Sequence, residues 1–178
     1  MPDQIIDNPI INSPFVEPKR QFVFTEDGIS NEIIEKRRVS AYFVPIPKPR
    51  KRGGQEGLFD TEWKKDRLKE NDFINKVREQ VRTWRAGKYL HVTNTTRRLL
   101  EYWKRSDRER RLFFCQIEAV ETAIYLTEVA KSYGDGWIEE DLKRANLEAN
   151  QDIYRIAFKM ATGSGKTLVM AMLIAWIS

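Results

Sequence analysis

Hydrophobic positions along this chain recur at two different periods, and the change of period divides it. Phe73, Val77, Val81 and Trp84 follow at intervals of four, four and three residues, one stripe of an amphipathic helix. Gly87 supplies its stop. Helical composition begins upstream at Asp60, a predicted N-cap, with Glu62 in the first turn complementing the helix dipole. Thr93 or Thr95 caps a second helix carrying Leu99, Leu100 and Trp103. A third helix, from about Arg111 to Ser132, carries Phe113, Ile117, Val120, Ala123 and Ile124, and Gly134 and Gly136 end it. A fourth covers roughly Trp137–Glu148. Then the period changes. Ile153–Lys159 (IYRIAFK) holds β-branched and aromatic residues without a breaker and reads as a buried strand. A glycine-rich turn follows, and Lys166–Ile177 reads as an apolar helix.

Residues 1–57 have another character. All seven prolines of the chain fall there, which forbids long helices and central strands. Gln21–Thr25 and Ala41–Ile46 are strand-like, Asp27-Gly28 is a turn signal, and Ser30–Arg38 is predicted as one short helix. Lys48–Gly57 (KPRKRGGQEG) reads as a basic linker. Its Lys48, Arg50, Lys51 and Arg52 suit phosphate contact, but a solvated loop is the simpler reading.

Composition changes this picture little. Charged residues make up 32% of the chain and the net charge is +5, with both signs interleaved. That is compatible with a polyanionic partner and equally with solvated helix faces. The single cysteine, Cys115, has no disulfide or metal-ligand neighbour, lies in an apolar helical pattern and is predicted as a small core residue in a reducing, cytoplasmic setting. The N-terminus lacks a signal-peptide pattern, and the apolar run Leu168–Ile177 is too short to span a bilayer, so no membrane association is expected.

The chemistry lies in Met160-Ala161-Thr162-Gly163-Ser164-Gly165-Lys166-Thr167. Gly163 and Gly165 admit backbone conformations that a Cβ blocks, so successive amide hydrogens can point inward at phosphate oxygens. The next helix starts here, and its dipole faces the same anion. Lys166 is placed to reach the β- and γ-phosphates of a nucleotide as a point charge, and the Thr167 hydroxyl to coordinate Mg²⁺. The formula G-x-x-x-x-G-K-[ST] is not fully met, because Met160 stands at its first glycine. The predicted strand before and helix after distinguish the motif from a glycine-rich turn with a surface lysine.

The run ATGSGKT resembles motif I of superfamily 2 helicases and translocases, where the first position is often not glycine. Those proteins also carry an upstream glutamine that reads adenine through its amide. Arg111–Val120 (RLFFCQIEAV) looks like that element, with Gln116 supplying one donor and one acceptor. Arg111 or Phe113 would lie against the base. More widely, SPFVEPKRQFVF, SAYFVPIPKP, TRRLLEYW, RRLFFCQIEAVETAIYLTEVA and FKMATGSGKT resemble the start of DEAD/DEAH-type proteins of the type III restriction enzyme Res-subunit family. The resemblance implies a RecA-like motor that hydrolyses ATP while moving on double-stranded DNA, in a bacterial or archaeal cytoplasm, with a methyltransferase partner in the restriction case.

The expected fold is therefore mixed α/β: an irregular β-containing arm and linker (1–57), a helical region with the adenine-side glutamine (58–150), and the first strand–loop–helix unit of a RecA-like domain (151–178). No acidic motif for Mg²⁺ and no arginine motif follow the loop, and acidic residues such as Glu139-Glu140-Asp141 precede it on a helix. A truncated chain with little ATPase activity of its own is expected. Two other readings compete: a different P-loop enzyme such as a nucleotide kinase, and a non-catalytic remnant. Arg97–Arg111 carries seven basic residues against three acidic ones, with Tyr102 and Trp103 interleaved. It reads equally as a phosphate-tracking face and as a solvated helix pair. The lone His91 receives no role.

Overall fold

The computed structural model describes residues 6, 8–25, 28–43, 68–149 and 153–178. The linker Lys48–Gly57, the expected cap Asp60 with Glu62, Asp27, and residues 44–46 of the second predicted strand lie outside the described residues. The chain divides into two units, residues 1–13 with 18–76, and residues 14–17 with 77–178.

The first unit is built on two antiparallel pairs. β1 (Gln21–Thr25) pairs with β2 (Gly28–Ile34), with Phe22 opposite Ile33 and Phe24 opposite Ile29, and a bulge between the two phenylalanines. Such aromatic and β-branched cross-strand pairs stabilise a hairpin. They explain why Ser30–Arg38 is not the expected helix: its isoleucines and the Ser30 hydroxyl, which donates to the Val23 carbonyl at 3.1 Å, serve the β1 pairing. β3 (Ala41–Phe43) pairs with β4 (Leu68–Glu70), so the sequence just before Asp72 is strand and not the continuation of a helix from Asp60. Asn75 holds β3 in place, accepting from the Ser40 amide at 2.7 Å and donating to its carbonyl at 3.1 Å.

The second unit is helical. α1 (Asp72–Ala86) begins in the first unit and buries Val77, Val81 and Trp84 in the second, as the stripe predicts. A turn of unusual backbone follows: Lys88, Tyr89 and His91 all have φ near +60°. It is held by the Trp84 indole donating to the Leu90 carbonyl at 2.8 Å, and by Arg97 donating to the carbonyls of Lys88 and Tyr89. Its product is a buried tyrosine, Tyr89, edge-on to Trp84. α2 (Asn94–Lys104) starts at Thr93, whose hydroxyl accepts from the Thr96 amide, and buries Leu100 and Trp103. α3 (Phe114–Ile124) continues as a π-helical turn, Tyr125–Val129. Gly134, at φ +89°, ends this stretch; Gly136, expected to help end it, instead opens α4 (Gly136–Ala149). α5 (Lys166–Ile177) packs Val169 and Met172 inward beside α3.

Two expectations fail here. Ile153–Lys159 is no strand. It is mostly exposed and is tied to α4 through Asn146, which donates to the Ile153 carbonyl and accepts from the Arg155 amide. A strand needs a partner strand for its backbone hydrogen bonds, and among the described residues no strand pairs with this segment. The second is Cys115, which is exposed rather than in the core. Among the described residues, no helix is long and apolar enough to cross a membrane.

Candidate phosphate-loop site

The loop closes on itself around one carbonyl. The Ala161 oxygen accepts from the Ser164 amide at 3.3 Å, the Ser164 hydroxyl at 2.7 Å and the Lys166 ammonium at 3.0 Å. Gly163 and Gly165 sit at φ +79° and +81°, the left-handed region that residues with a Cβ enter at a cost. Gly165 is the N-cap of α5. The first amides of that helix have no intrahelical acceptor and carry the positive end of its dipole. Thr162, Gly163 and Thr167 are exposed, and Ser164 and Gly165 half-buried.

Gln116 meets this loop. It is 4% exposed. Its side-chain nitrogen donates to the Ser164 carbonyl at 2.9 Å, across 48 residues of sequence. Its oxygen accepts from the Phe113 amide at 2.9 Å, a glutamine at the third helical position reaching back to its own N-cap. The amide thus spans from the start of α3 to the start of α5. The two helices pack against one another, with Val169 and Met172 of α5 buried. At the far end of α5, the Trp176 indole donates to the Thr96 hydroxyl at 3.1 Å.

The flanking candidates part company. Arg111 lies over the Phe15 ring, 4.5 Å from its centroid, while Phe113 stays next to Gln116 and packs on Phe15 at 5.7 Å. Most of the basic run Arg97–Arg111 is engaged locally. Arg97 bonds the turn carbonyls, Lys104 donates to the Tyr89 hydroxyl, Arg105 makes a forked pair with Asp107, and Arg108 lies over Tyr102. His91 packs edge-on against Tyr133.

Sequence reading missed the buried ionic centre behind α3. Glu121, fully buried, accepts a hydrogen bond from Arg85 Nε at 2.8 Å and one from the Tyr89 hydroxyl, and its carboxylate stands 2.6 Å from Arg85 Nη2 as an ion pair. Burial works against the Arg85 charge, but the hydrogen bond and charge of Glu121 outweigh it and hold the guanidinium above its usual range. Burial first, then the same carboxylate, push the Tyr89 phenol up. The signal was available: Glu121 is a charged residue set between the apolar Val120 and Ile124. Phe15 was also missed. The Pro14 carbonyl accepts from the Phe114 amide at 2.7 Å, and this seats residues 14–17 beside α3.

The chemistry of the donor set fits a phosphate chain at the loop: one ammonium, one threonine hydroxyl and a run of helix-start amides. It fits Mg²⁺ only in part. Thr167 offers one oxygen, and among the described residues no group of three His, Cys, Asp or Glu side chains is arranged to hold a metal. No curated protein and no solved structure matches the chain. Residues 109–178, the stretch that builds the site from just before Gln116 to the last helix, match the family model of the type III restriction enzyme, res subunit.

Proposed function

We propose that residues 109–178 form the nucleotide-entry part of an ATP-driven motor acting on double-stranded DNA, with the loop 160–167 receiving the ATP phosphates. The observation that carries this reading is the Gln116–Ser164 hydrogen bond. An adenine-type glutamine and a phosphate-type loop, far apart in sequence, meet at hydrogen-bonding distance. A glycine-rich turn with a surface lysine gives no reason for that meeting.

Each group has a task in this reading. Lys166 exchanges the Ala161 carbonyl for phosphate oxygens, trading a neutral acceptor for an anion, which makes the stronger bond. The amides of Gly165, Lys166 and Thr167 surround the same oxygens. Thr167 offers its hydroxyl to the Mg²⁺ that accompanies the nucleotide and supplies charge neutralisation when bound. Gln116 turns its amide from Phe113 and Ser164 to the base, exchanging bonds rather than losing them, and so links occupation of the base site to the loop backbone. Phe113 is the ring nearest that base.

The test is titration of the chain with ATP, with and without Mg²⁺. Binding that falls by about ten- to a hundredfold in Lys166→Ala is expected, the worth of a charged hydrogen bond at about 1.5–3 kcal/mol. Equal binding by the two proteins would refute the assignment.

A further inference from the structure

A cleft of about 120 Å³ lies on the side of α3 away from the phosphate loop. Phe114, Ile117 and Glu121 line it, spaced three and four residues apart on one helix face, whereas Gln116 points from the opposite side to Ser164. The Phe15 and Trp103 rings complete its aromatic lining. The volume is well under the roughly 300–1,000 Å³ of pockets that take drug-sized ligands, so it suits a single planar ring system.

Its lining carries four basic side chains, Arg85, Lys104, Arg105 and Arg111, and one acidic one, Glu121. Arg85 is held by Glu121, with Glu17 and Glu118 also within ion-pair distance, and Arg105 is taken by Asp107. Lys104 and Arg111 remain, and neither makes an ion pair among the described residues. The Lys104 ammonium donates to the Tyr89 hydroxyl at 2.7 Å and lies 4.7 Å from that ring. Burial, with nearby Arg85 adding to it against the attraction of Glu121, holds it below the usual lysine range. An anion in the cleft would relieve that cost. Arg111 presents a guanidinium plane already backed by Phe15.

We propose that this cleft takes a nucleobase, with the phosphate it carries at the open rim beside Lys104 and Arg111, as a free mononucleotide or as an unpaired nucleotide of a strand. Aromatic rings and an arginine plane are the surfaces on which bases stack. Lys104 and Arg111, which make no ion pair among the described residues, stand at the same place to meet the phosphate. Neither feature alone selects this ligand: a bare phosphate has no use for the rings, and an uncharged ring has none for the cations. The inference does not depend on the phosphate loop carrying ATP.

The experiment is done on the Lys166→Ala chain, so that loop binding does not intrude. Adenosine monophosphate and a single-stranded oligonucleotide are titrated separately by calorimetry. Arg111→Ala and Lys104→Met should each weaken binding at least about tenfold, while the exposed Arg98→Ala leaves it unchanged, with helical content checked by circular dichroism. Binding of the mononucleotide assigns the cleft to the free ligand; binding of the strand alone assigns it to a nucleic acid. Absence of both at millimolar ligand overturns the proposal. So does binding that the two cleft variants do not change, or that Arg98→Ala weakens as much.

Discussion

Gly163 and Gly165 form a natural experiment on the loop. Both are left-handed, at φ +79° and +81°. A Cβ at Gly163 would meet nothing within 4 Å, whereas one at Gly165 would stand 2.3 Å from the side-chain nitrogen of Gln116. Alanine at Gly163 should therefore cost the backbone strain alone, about 1–2 kcal/mol. Alanine at Gly165 costs the same strain and also drives the Gln116 amide off Ser164 and Phe113. With each of the two hydrogen bonds worth a net of about 0.5–1.5 kcal/mol, the total is about 2–5 kcal/mol. The excess must vanish when Gln116 is absent, so in a Gln116→Ala background the two glycine substitutions become equal. The assay is urea unfolding of the single and double variants, followed by tryptophan fluorescence. Equal losses at the two glycines in the wild-type background would show that the Gln116 contact carries no stability. So would a Gly165→Ala loss unaltered by Gln116→Ala.

What the sequence made legible was local. The stripe Phe73–Trp84 with Gly87, the Thr93 cap and the loop glycines each rest on contacts within a few residues, and the structure has them. What it concealed was pairing. Ser30–Arg38 contains no helix breaker, and only the partner strand Gln21–Thr25 makes it extended. IYRIAFK has the composition of a buried strand, but composition supplies no partner strand, and among the described residues none pairs with it and it is largely exposed. At the site, Gln116 and the loop were legible one at a time as motifs. Their hydrogen bond depends on how α3 packs on α5, which no spacing encodes. The Arg85–Glu121 pair was hidden for the same reason, since its partners are 36 residues apart.

Two further outcomes follow from that ionic centre and its neighbours. Glu121→Gln leaves Arg85 buried without its nearest carboxylate and should cost about 3–5 kcal/mol, read by urea unfolding; the low end is expected, because Glu17 at 3.3 Å and Glu118 at 3.8 Å remain. Tyr125, fully buried with its hydroxyl on Asp135, has its phenol pushed above the ordinary 10.0, by burial first and then by that carboxylate. Its folded pKa is raised, so its contribution is complete below about pH 10 and is lost as pH climbs toward the folded value, where the unfolded chain binds fewer protons. Tyr125→Phe should flatten the alkaline loss of stability by up to about 1.4 kcal/mol per pH unit, and an unchanged slope would contradict the assignment.

Gln116 and the loop 160–167 are proposed to make one ATP site. This is tested most directly by titrating ATP and GTP in parallel into the wild-type, Gln116→Ala and Lys166→Ala chains. Wild type should prefer ATP, Gln116→Ala should bind both nucleotides with the preference gone, and Lys166→Ala should weaken binding of both. A preference for ATP that survives Gln116→Ala, or nucleotide binding indifferent to Lys166→Ala, would contradict it.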